Sequence, residues 1–290
     1  MKVGFIGLGN MGQGMSDNLL SKGTDLTVFT RTKSKIDAMV SKGAKGAKSI
    51  EDIANNCDLI LTCLPDVQTS KDIFLGDNGL VNYVNSNHIV VDHSTVDIST
   101  SKECFTSFKN SNASFLDAPI SGGPLGASGG TLAIMVGGDN DTYEKALPYF
   151  ERMGANIKYM GPSGAGTAMK LINQLLVGVN TLAAAEAFAL ANSAGVNIDS
   201  AAELLSVSWG GSTMVERSAP ITSKRDFPDS AAPVRNLDKD LGIIRNLSED
   251  EGLSLLLALT AEKMFKKLMD NGKPDHDIAG VIEIIEDMSS

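Results

Sequence analysis

Hydrophobic positions in the first half of the chain fall in short, largely β-branched runs, separated by segments whose apolar residues recur at three- and four-residue spacing. The runs predict strands at residues 2–6, 25–29, 59–63, 89–92, 114–117, 132–136 and 156–160. The periodic segments between them predict helices over 15–23, 33–41, 50–55, 67–74 and 143–153. Strand and helix in alternation is the pattern of a mostly parallel sheet covered by helices, so this half is α/β. At Gly164 the pattern changes. Residues 164–195 are almost all helix formers, roughly 45 Å of helix at 1.5 Å per residue, and helical periodicity returns over 200–207, 237–248, 253–270 and 276–287. The segment SWGGST (208–213) and Pro220, Pro228 and Pro233 mark the longer loops. The expected division is an α/β domain over residues 1–162 and an all-helical domain over 163–290.

The first strand runs directly into Gly7, Gly9 and Gly12 of GLGNMG, and a helix follows. In a dinucleotide-binding fold the first glycine permits the tight turn and the second lets the backbone approach the pyrophosphate. The third lets helix and strand pack closely, while the free amides at the helix start hold the phosphate charge. Gly7, Gly9, Asn10, Met11 and Gly12 are therefore candidate cofactor residues. The second strand ends in Thr30, Arg31 and Thr32, where an NAD-preferring site usually has an acid for the ribose hydroxyls. Arg31 can pair with a 2′-phosphate, helped by the two threonines, so the expected cofactor is NADP, with NAD as the alternative. Leu64 and Pro65 close the 59–63 strand at the carboxyl edge, where open α/β sheets bind ligands, and Thr95 follows the 89–92 strand.

DAPISGGPLGASGG (117–130) lacks hydrophobic periodicity and reads as a loop. In it Ser121, Gly122 and Gly123 offer a hydroxyl and successive amides that can cradle a carboxylate without a cation. Lys170 sits about two turns into the long helix, with Asn173 and Gln174 on the same face. Burial and the positive end of the helix dipole would both disfavour its ammonium and favour release of a proton. The other reading of Lys170 is a lysine that snorkels or pairs with an acid.

Composition narrows the partners. The 290 residues, 42% hydrophobic, carry 25 basic and 35 acidic side chains for a formal charge of −10 with no basic block. That excludes a broad positive surface for nucleic acid or an anionic membrane. Cys57, Cys63 and Cys104 lack metal spacing, and His88, His93 and His276 offer no zinc set, so no metal is expected. With few cysteines, no leader pattern and no apolar run of about 20 residues, the expected location is the cytoplasm. The apolar helical half suggests self-association, as a homodimer or homotetramer.

GFIGLGNMG from Gly4, HST from His93, DAPISGG from Asp117, GTLAIMVGG from Gly130, GAGTAMKLINQ from Gly164 and KDLG from Lys239 together resemble the β-hydroxyacid dehydrogenase family, in order over nearly the whole chain. That family includes 3-hydroxyisobutyrate dehydrogenases, tartronate semialdehyde (2-hydroxy-3-oxopropionate) reductases, and glyoxylate and succinic semialdehyde reductases. The resemblance implies a Rossmann-type domain followed by an all-helical one that serves substrate binding and oligomerisation. It implies hydride transfer between NADP(H) and a short hydroxy acid/semialdehyde pair, with Lys170 as general acid or base. By the same resemblance Ser121, Gly122 and Gly123 receive the substrate carboxylate. Leu64, Pro65 and Thr95 contact the nicotinamide half, and Lys239 completes the site. Two positions depart from the family pattern: Gln174 stands where Asn is usual, and Ala232, seven residues before Lys239, where several semialdehyde reductases carry an aromatic residue. The alternatives are an imine reductase, whose members usually replace the lysine, and a non-catalytic dinucleotide-binding protein.

Overall fold

The computed structural model describes residues 1–228 and 230–288. It divides into two compact units, Met1–Lys170 and Leu171–Ser290, with the division inside one long helix.

In the first unit the strands are β1 (Val3–Ile6), β2 (Leu26–Phe29), β3 (Lys45–Gly46), β4 (Leu59–Thr62), β5 (Ile89–Asp92), β6 (Ser114–Asp117), β7 (Ile120–Ser121), β8 (Leu132–Gly138) and β9 (Gly154–Gly161). They form one sheet in the order β3-β2-β1-β4-β5-β6-β8-β7, with β9 beside β8. From β3 to β6 every pairing is parallel, which is the doubly wound dinucleotide order. Then β8 runs antiparallel to β6 and β7. The helices are α1 (Asn10–Ser21), α2 (Lys33–Ser41), α3 (Ile50–Asn56), α4 (Val67–Leu75), α5 (Ile98–Asn110), α6 (Gly123–Gly129) and α7 (Asn140–Phe150).

Alternation along the central strands fills both faces of the sheet. Val3, Phe5, Leu59, Leu61, Ile89, Val91 and Leu116 enter one core. Ile6, Ile60, Val90 and Phe115 enter the other, where Phe74, Phe108 and Phe115 pack as an aromatic trio. A strand buried on both sides reads as an unbroken apolar run, which explains why these strands were visible in the sequence.

The helix α8 (Ala165–Ser193) begins in the first unit and continues into the second, where α9 (Ile198–Ser206), α10 (Thr213–Lys224), α11 (Val234–Asp250), α12 (Leu256–Asp270) and α13 (Ile282–Asp287) follow. Among the described residues the regular elements of the second unit are helical, with α13 preceded by a 3₁₀ segment, Ile278–Val281. A fork between Arg217 and Asp277, with Ser230 and the Ala279 amide also on the Asp277 carboxylate, ties α10 to that segment.

Several expectations need correction. DAPISGGPLGASGG is not a plain loop: it holds β7 and α6, a seven-residue helix that starts on Gly123 with Pro124 in its first turn. α5 was not anticipated, because its buried face is Thr100, Ser101, Cys104 and Phe108 and so has little apolar periodicity. α10 passes through Pro220, which had been read as a loop marker; the Ser212 cap and the buried Val215, Ser218, Ala219 and Thr222 outweigh the one hydrogen bond the proline forfeits. α7 lies three residues earlier than expected, and 276–287 is a 3₁₀ turn with a short helix rather than one helix. Finally, α8 does reach the length and hydropathy of a membrane span, with 29 residues and a window of mean hydropathy 1.4. Its apolar residues are interrupted by scattered amides and hydroxyls, Lys170 and Glu186, and they still dominate the window average. It buries Leu171, Leu182, Ala184, Ala185 and Phe188 against protein.

Candidate active site

In the first unit the candidate cofactor residues gather at the carboxyl edge of the sheet, around the β1/β4 switch point, where open α/β sheets receive nucleotides. Gly7 leaves β1 at φ +100°, and a Cβ there would stand 2.3 Å from the Cys63 carbonyl oxygen after β4. Gly12 is equally constrained, since its Cβ would lie 1.9 Å from the Gly7 oxygen. Gly9 differs: nothing stands within 4 Å of its Cβ position. Gly9 is the N-cap of α1, which has no side-chain cap and no acid in its first turn, so no side chain caps the amides of Asn10, Met11 and Gly12 that begin the helix. That is the donor set and the room a dinucleotide pyrophosphate needs.

Thr30, Arg31 and Thr32 follow β2; Arg31 is exposed, and Thr32 stands at the α2 cap position without a capping bond from its hydroxyl. A residue not anticipated from the sequence joins them. Lys35, one turn into α2, reaches back so that its Nζ lies 3.0 Å from the Leu8 carbonyl oxygen in the glycine turn. The ammonium thus adds a second positive charge near this edge. Its signal in the sequence was only its position four residues beyond Arg31.

A buried network shapes the loops after β4 and β5. The Asp92 carboxylate accepts from the Thr62 hydroxyl and the Ser94 amide, each at 2.9 Å, and the Ser94 hydroxyl accepts the Leu64 amide at 2.8 Å. Leu64 and Pro65 are therefore fixed to the turn that carries Thr95. Burial pushes the Asp92 carboxyl above its ordinary range, against the Ser94 and Thr62 donors.

His93 in the same turn faces inward rather than toward a ligand. It is 1% exposed, its Nδ1 lies 2.6 Å from the Ala118 carbonyl, and its ring meets Phe150 edge-on. A carbonyl accepts only, so Nδ1 carries the proton. Burial pushes the imidazole down to about 4 from an ordinary 6.5. Below pH 6.5 the unfolded chain takes up a proton that the native chain refuses until about pH 4, so the His93 contribution to stability falls across that window. Asp92 and Asp117, raised by burial, act with the opposite sign. The expected result is therefore a difference: relative to wild type, His93→Met should gain about 3 kcal/mol between pH 7 and pH 4 in urea unfolding, at 1.36 kcal/mol per pKa unit. Parallel pH profiles for the two proteins would refute it.

Ser121 ends β7, and Gly122 and Gly123 turn into α6 at φ +131° and +62°. These left-handed conformations suit glycine and expose the amides of the turn. α6 is held against α1: the Asn18 side-chain amide lies 2.8 Å from the Ala127 oxygen and 2.9 Å from the Ser128 oxygen, and Gly14 leaves no room for a Cβ, which would meet the Ala127–Ser128 backbone at 2.8 Å. The helix that begins at the glycine turn and the helix that begins at Ser121–Gly123 are thus locked together.

Lys170 lies in the second turn of α8 and is 7% exposed. The positive end of the helix dipole meets the Asp117 carboxylate, which accepts the Gly164 and Thr167 amides at 2.8 Å each. Burial raises the Asp117 carboxyl, while those two amides act to lower it.

In the second unit Asn173, Gln174 and Lys239 meet around one acid. The Asn173 amide donates to the Gln174 side-chain oxygen at 3.0 Å, the Gln174 amide donates to Asp240 at 2.5 Å, and the Lys239 Nζ stands 2.9 Å from the other Asp240 oxygen. Asp240, the acid of KDLG, is 4% exposed and is a residue that the sequence does not single out. Ala232 has both backbone groups engaged, by Ser230 and Ile278. Among the described residues no set of three or more metal-type side chains comes together.

Comparison with known proteins matches residues 2–161 to the NAD-binding domain of 6-phosphogluconate dehydrogenase and residues 164–285 to a family described as NAD-binding of NADP-dependent 3-hydroxyisobutyrate dehydrogenase. The chain is 34% identical over 286 residues to glyoxylate/succinic semialdehyde reductase 2 of Arabidopsis thaliana, covering 99% of this chain and 80% of that one. It is 32% identical to the NAD-dependent L-serine dehydrogenase of Pseudomonas aeruginosa, covering 98% of each. Among solved structures, Psf3 in complex with NADP+ and 2-OPP superposes with a TM-score of 0.90 at 26% identity over 98% of this chain and 99% of that one. An imine reductase of Streptomyces aurantiacus shares the fold more distantly, with a TM-score of 0.67 at 20% identity over 98% of this chain and 99% of that one.

Proposed function

From the premise that the chain belongs to the β-hydroxyacid dehydrogenase family and is an NAD(P)-dependent oxidoreductase, we propose that it interconverts a short hydroxy acid and its semialdehyde with NADP(H), Lys170 being the general acid and base. The observation that carries this reading is Lys170 itself: a buried ammonium on a helix whose start is tied by Asp117 to the strand that leads into Ser121–Gly123. The nicotinamide, when bound, exchanges a hydride with the substrate carbon. Ser121 and the amides of Gly122 and Gly123 receive the substrate carboxylate, which orients the carbonyl. Lys170 gives its proton to the carbonyl oxygen on reduction and takes it back from the hydroxyl on oxidation. Gly7, Gly9, Asn10, Met11 and Gly12 hold the pyrophosphate, and Leu64, Pro65 and Thr95 contact the nicotinamide half. In the second unit Asn173, Gln174 and Lys239 serve the substrate and cofactor as a set braced by Asp240. Residues 1–162 act as the cofactor domain and 163–290 as the substrate and oligomerisation domain.

The preference for NADP is supported by Thr30-Arg31-Thr32 and by the absence of an acid at the end of β2. Exposed Leu190, Leu204, Val207, Trp209, Leu256 and Leu257 in the second unit favour a homo-oligomer. Three unbridged cysteines suit a cytoplasmic location.

The test is turnover of glyoxylate, succinic semialdehyde, tartronate semialdehyde and methylmalonate semialdehyde, each with NADPH and with NADH. At least one should be reduced with a clear NADPH preference. No turnover on any of them would refute the substrate class, and an NADH preference would refute the cofactor assignment. Reduction of a cyclic imine in preference to all four would point to imine reductase chemistry instead.

A further inference from the structure

The start of α8 is organised from outside the helix. Asp117, the last residue of β6 and 1% exposed, spends both carboxylate oxygens on it: one accepts the Gly164 amide and the other the Thr167 amide, each at 2.8 Å. Two of the amides that a helix start leaves orphaned are therefore satisfied by a side chain 47 and 50 residues away in sequence. The same turn is restrained on its other sides. The Thr167 hydroxyl pairs with the Ser101 hydroxyl of α5 at 2.8 Å. A Cβ on Gly166 would stand 2.3 Å from the Met135 oxygen and 2.5 Å from the Asp117 oxygen, and one on Gly137 would meet the Gly166 amide at 2.7 Å. At Gly166 the helix backbone thus lies directly on the backbones of β6 and β8, and the Asp117 carboxylate packs beside Gly137 under the same turn.

We propose that Asp117 is a positioning residue for Lys170: by gripping the Gly164 and Thr167 amides it sets the advance and rotation of α8, and with them the place of the lysine ammonium. Lys170 is three residues beyond Thr167, less than one turn, so a shift at the grip passes to it almost undiminished. The chain also runs from Asp117 through β7 into Ser121–Gly123, so one side chain sets the separation between the carboxylate-receiving turn and the proton donor. Proton transfer demands a heavy-atom separation of about 2.6–3.2 Å, and a misplacement of about 1 Å costs on the order of 100-fold. The inference rests on the reading of Lys170 as the proton donor.

The test uses the full-length protein and its best semialdehyde. Asp117→Ala should lower kcat about 100-fold with the Kd for NADPH, read by fluorescence titration, within twofold of wild type. Asp117→Asn keeps one acceptor and should lose about 10-fold. Gly166→Ala, which pushes the helix off the sheet without touching the carboxylate, should give the same pattern, and with Asp117→Asn it carries the test if Asp117→Ala does not fold. Ser49→Ala, which removes the cap of α3, is the stability control: at a matched loss of Tm its kcat should stay at the wild-type value. The decisive measurement is the double variant. If Asp117 acts through Lys170, Asp117→Ala should cost no more than twofold in a Lys170→Ala background. The proposal is overturned if the full factor persists there, or if the folded Asp117 and Gly166 variants keep their kcat. Wild-type turnover by Lys170→Ala alone would instead overturn the function reading on which the proposal stands.

Discussion

Lys170→Ala is expected to lower kcat/KM for the best semialdehyde by about 10²- to 10⁴-fold, the usual worth of a positioned general acid, while NADPH binding stays within a factor of two. The two readouts separate because the proposed pyrophosphate donors are the amides at the α1 start, on a different element from α8. Lys170 is 7% exposed, so its truncation also leaves a cavity, and Lys170→Met is the appropriate partner variant: it fills the space while removing the ammonium. Both should fall together. Lys170→Arg keeps a positive charge but does not release a proton at neutral pH, so it should fail as well. Near wild-type turnover by Lys170→Met would mean that the buried ammonium is structural and that another group moves the proton.

Arg31→Ala is expected to raise KM for NADPH by about 10- to 100-fold with little change for NADH. A charge-assisted hydrogen bond to phosphate contributes about 1.5–3 kcal/mol, and 1.4 kcal/mol is tenfold. Arg31 is exposed and makes no ion pair among the described residues, so its loss removes no internal support. The wild-type preference should weaken as salt is raised, because an exposed charge pair is screened. An NADPH/NADH ratio that does not move on substitution would end the case for Arg31 as the phosphate partner and leave Lys35, poised on the Leu8 carbonyl, as the next cation to replace.

What was legible in the sequence depended on how local its cause was. β1 and the glycine turn are legible because one continuous stretch both makes the turn and carries the amides, although α1 begins at Asn10, inside the glycine motif rather than after it. The central strands were equally visible, since burial on two faces removes polar residues altogether. α6 was missed for the opposite reason. Four of its seven residues are glycine or proline, its propensity is poor, and it exists because Asn18 and Gly14 of α1 give its backbone a partner. α10 was missed because a proline outweighed its buried face in a reading that could not see that face. The candidate residues Gln174 and Lys239 were named without the acid that joins them: Asp240 has no signature beyond its place in KDLG.

The sequence by itself determined the alternation of strands and helices, the turn that can hold a pyrophosphate, the cation that replaces an acid after β2, and the lysine two turns into α8. Each of these is set by residues within one or two turns of chain, where backbone sterics and periodicity act directly. Only the tertiary structure decided that Asp117 grips α8 across 47 residues, that Asn18 clamps α6 across 109, and that Gln174 spends its amide on Asp240 across 66. A hydrogen bond between distant residues leaves no periodic trace in a single chain. It forms because a buried polar group must find a partner wherever the fold supplies one.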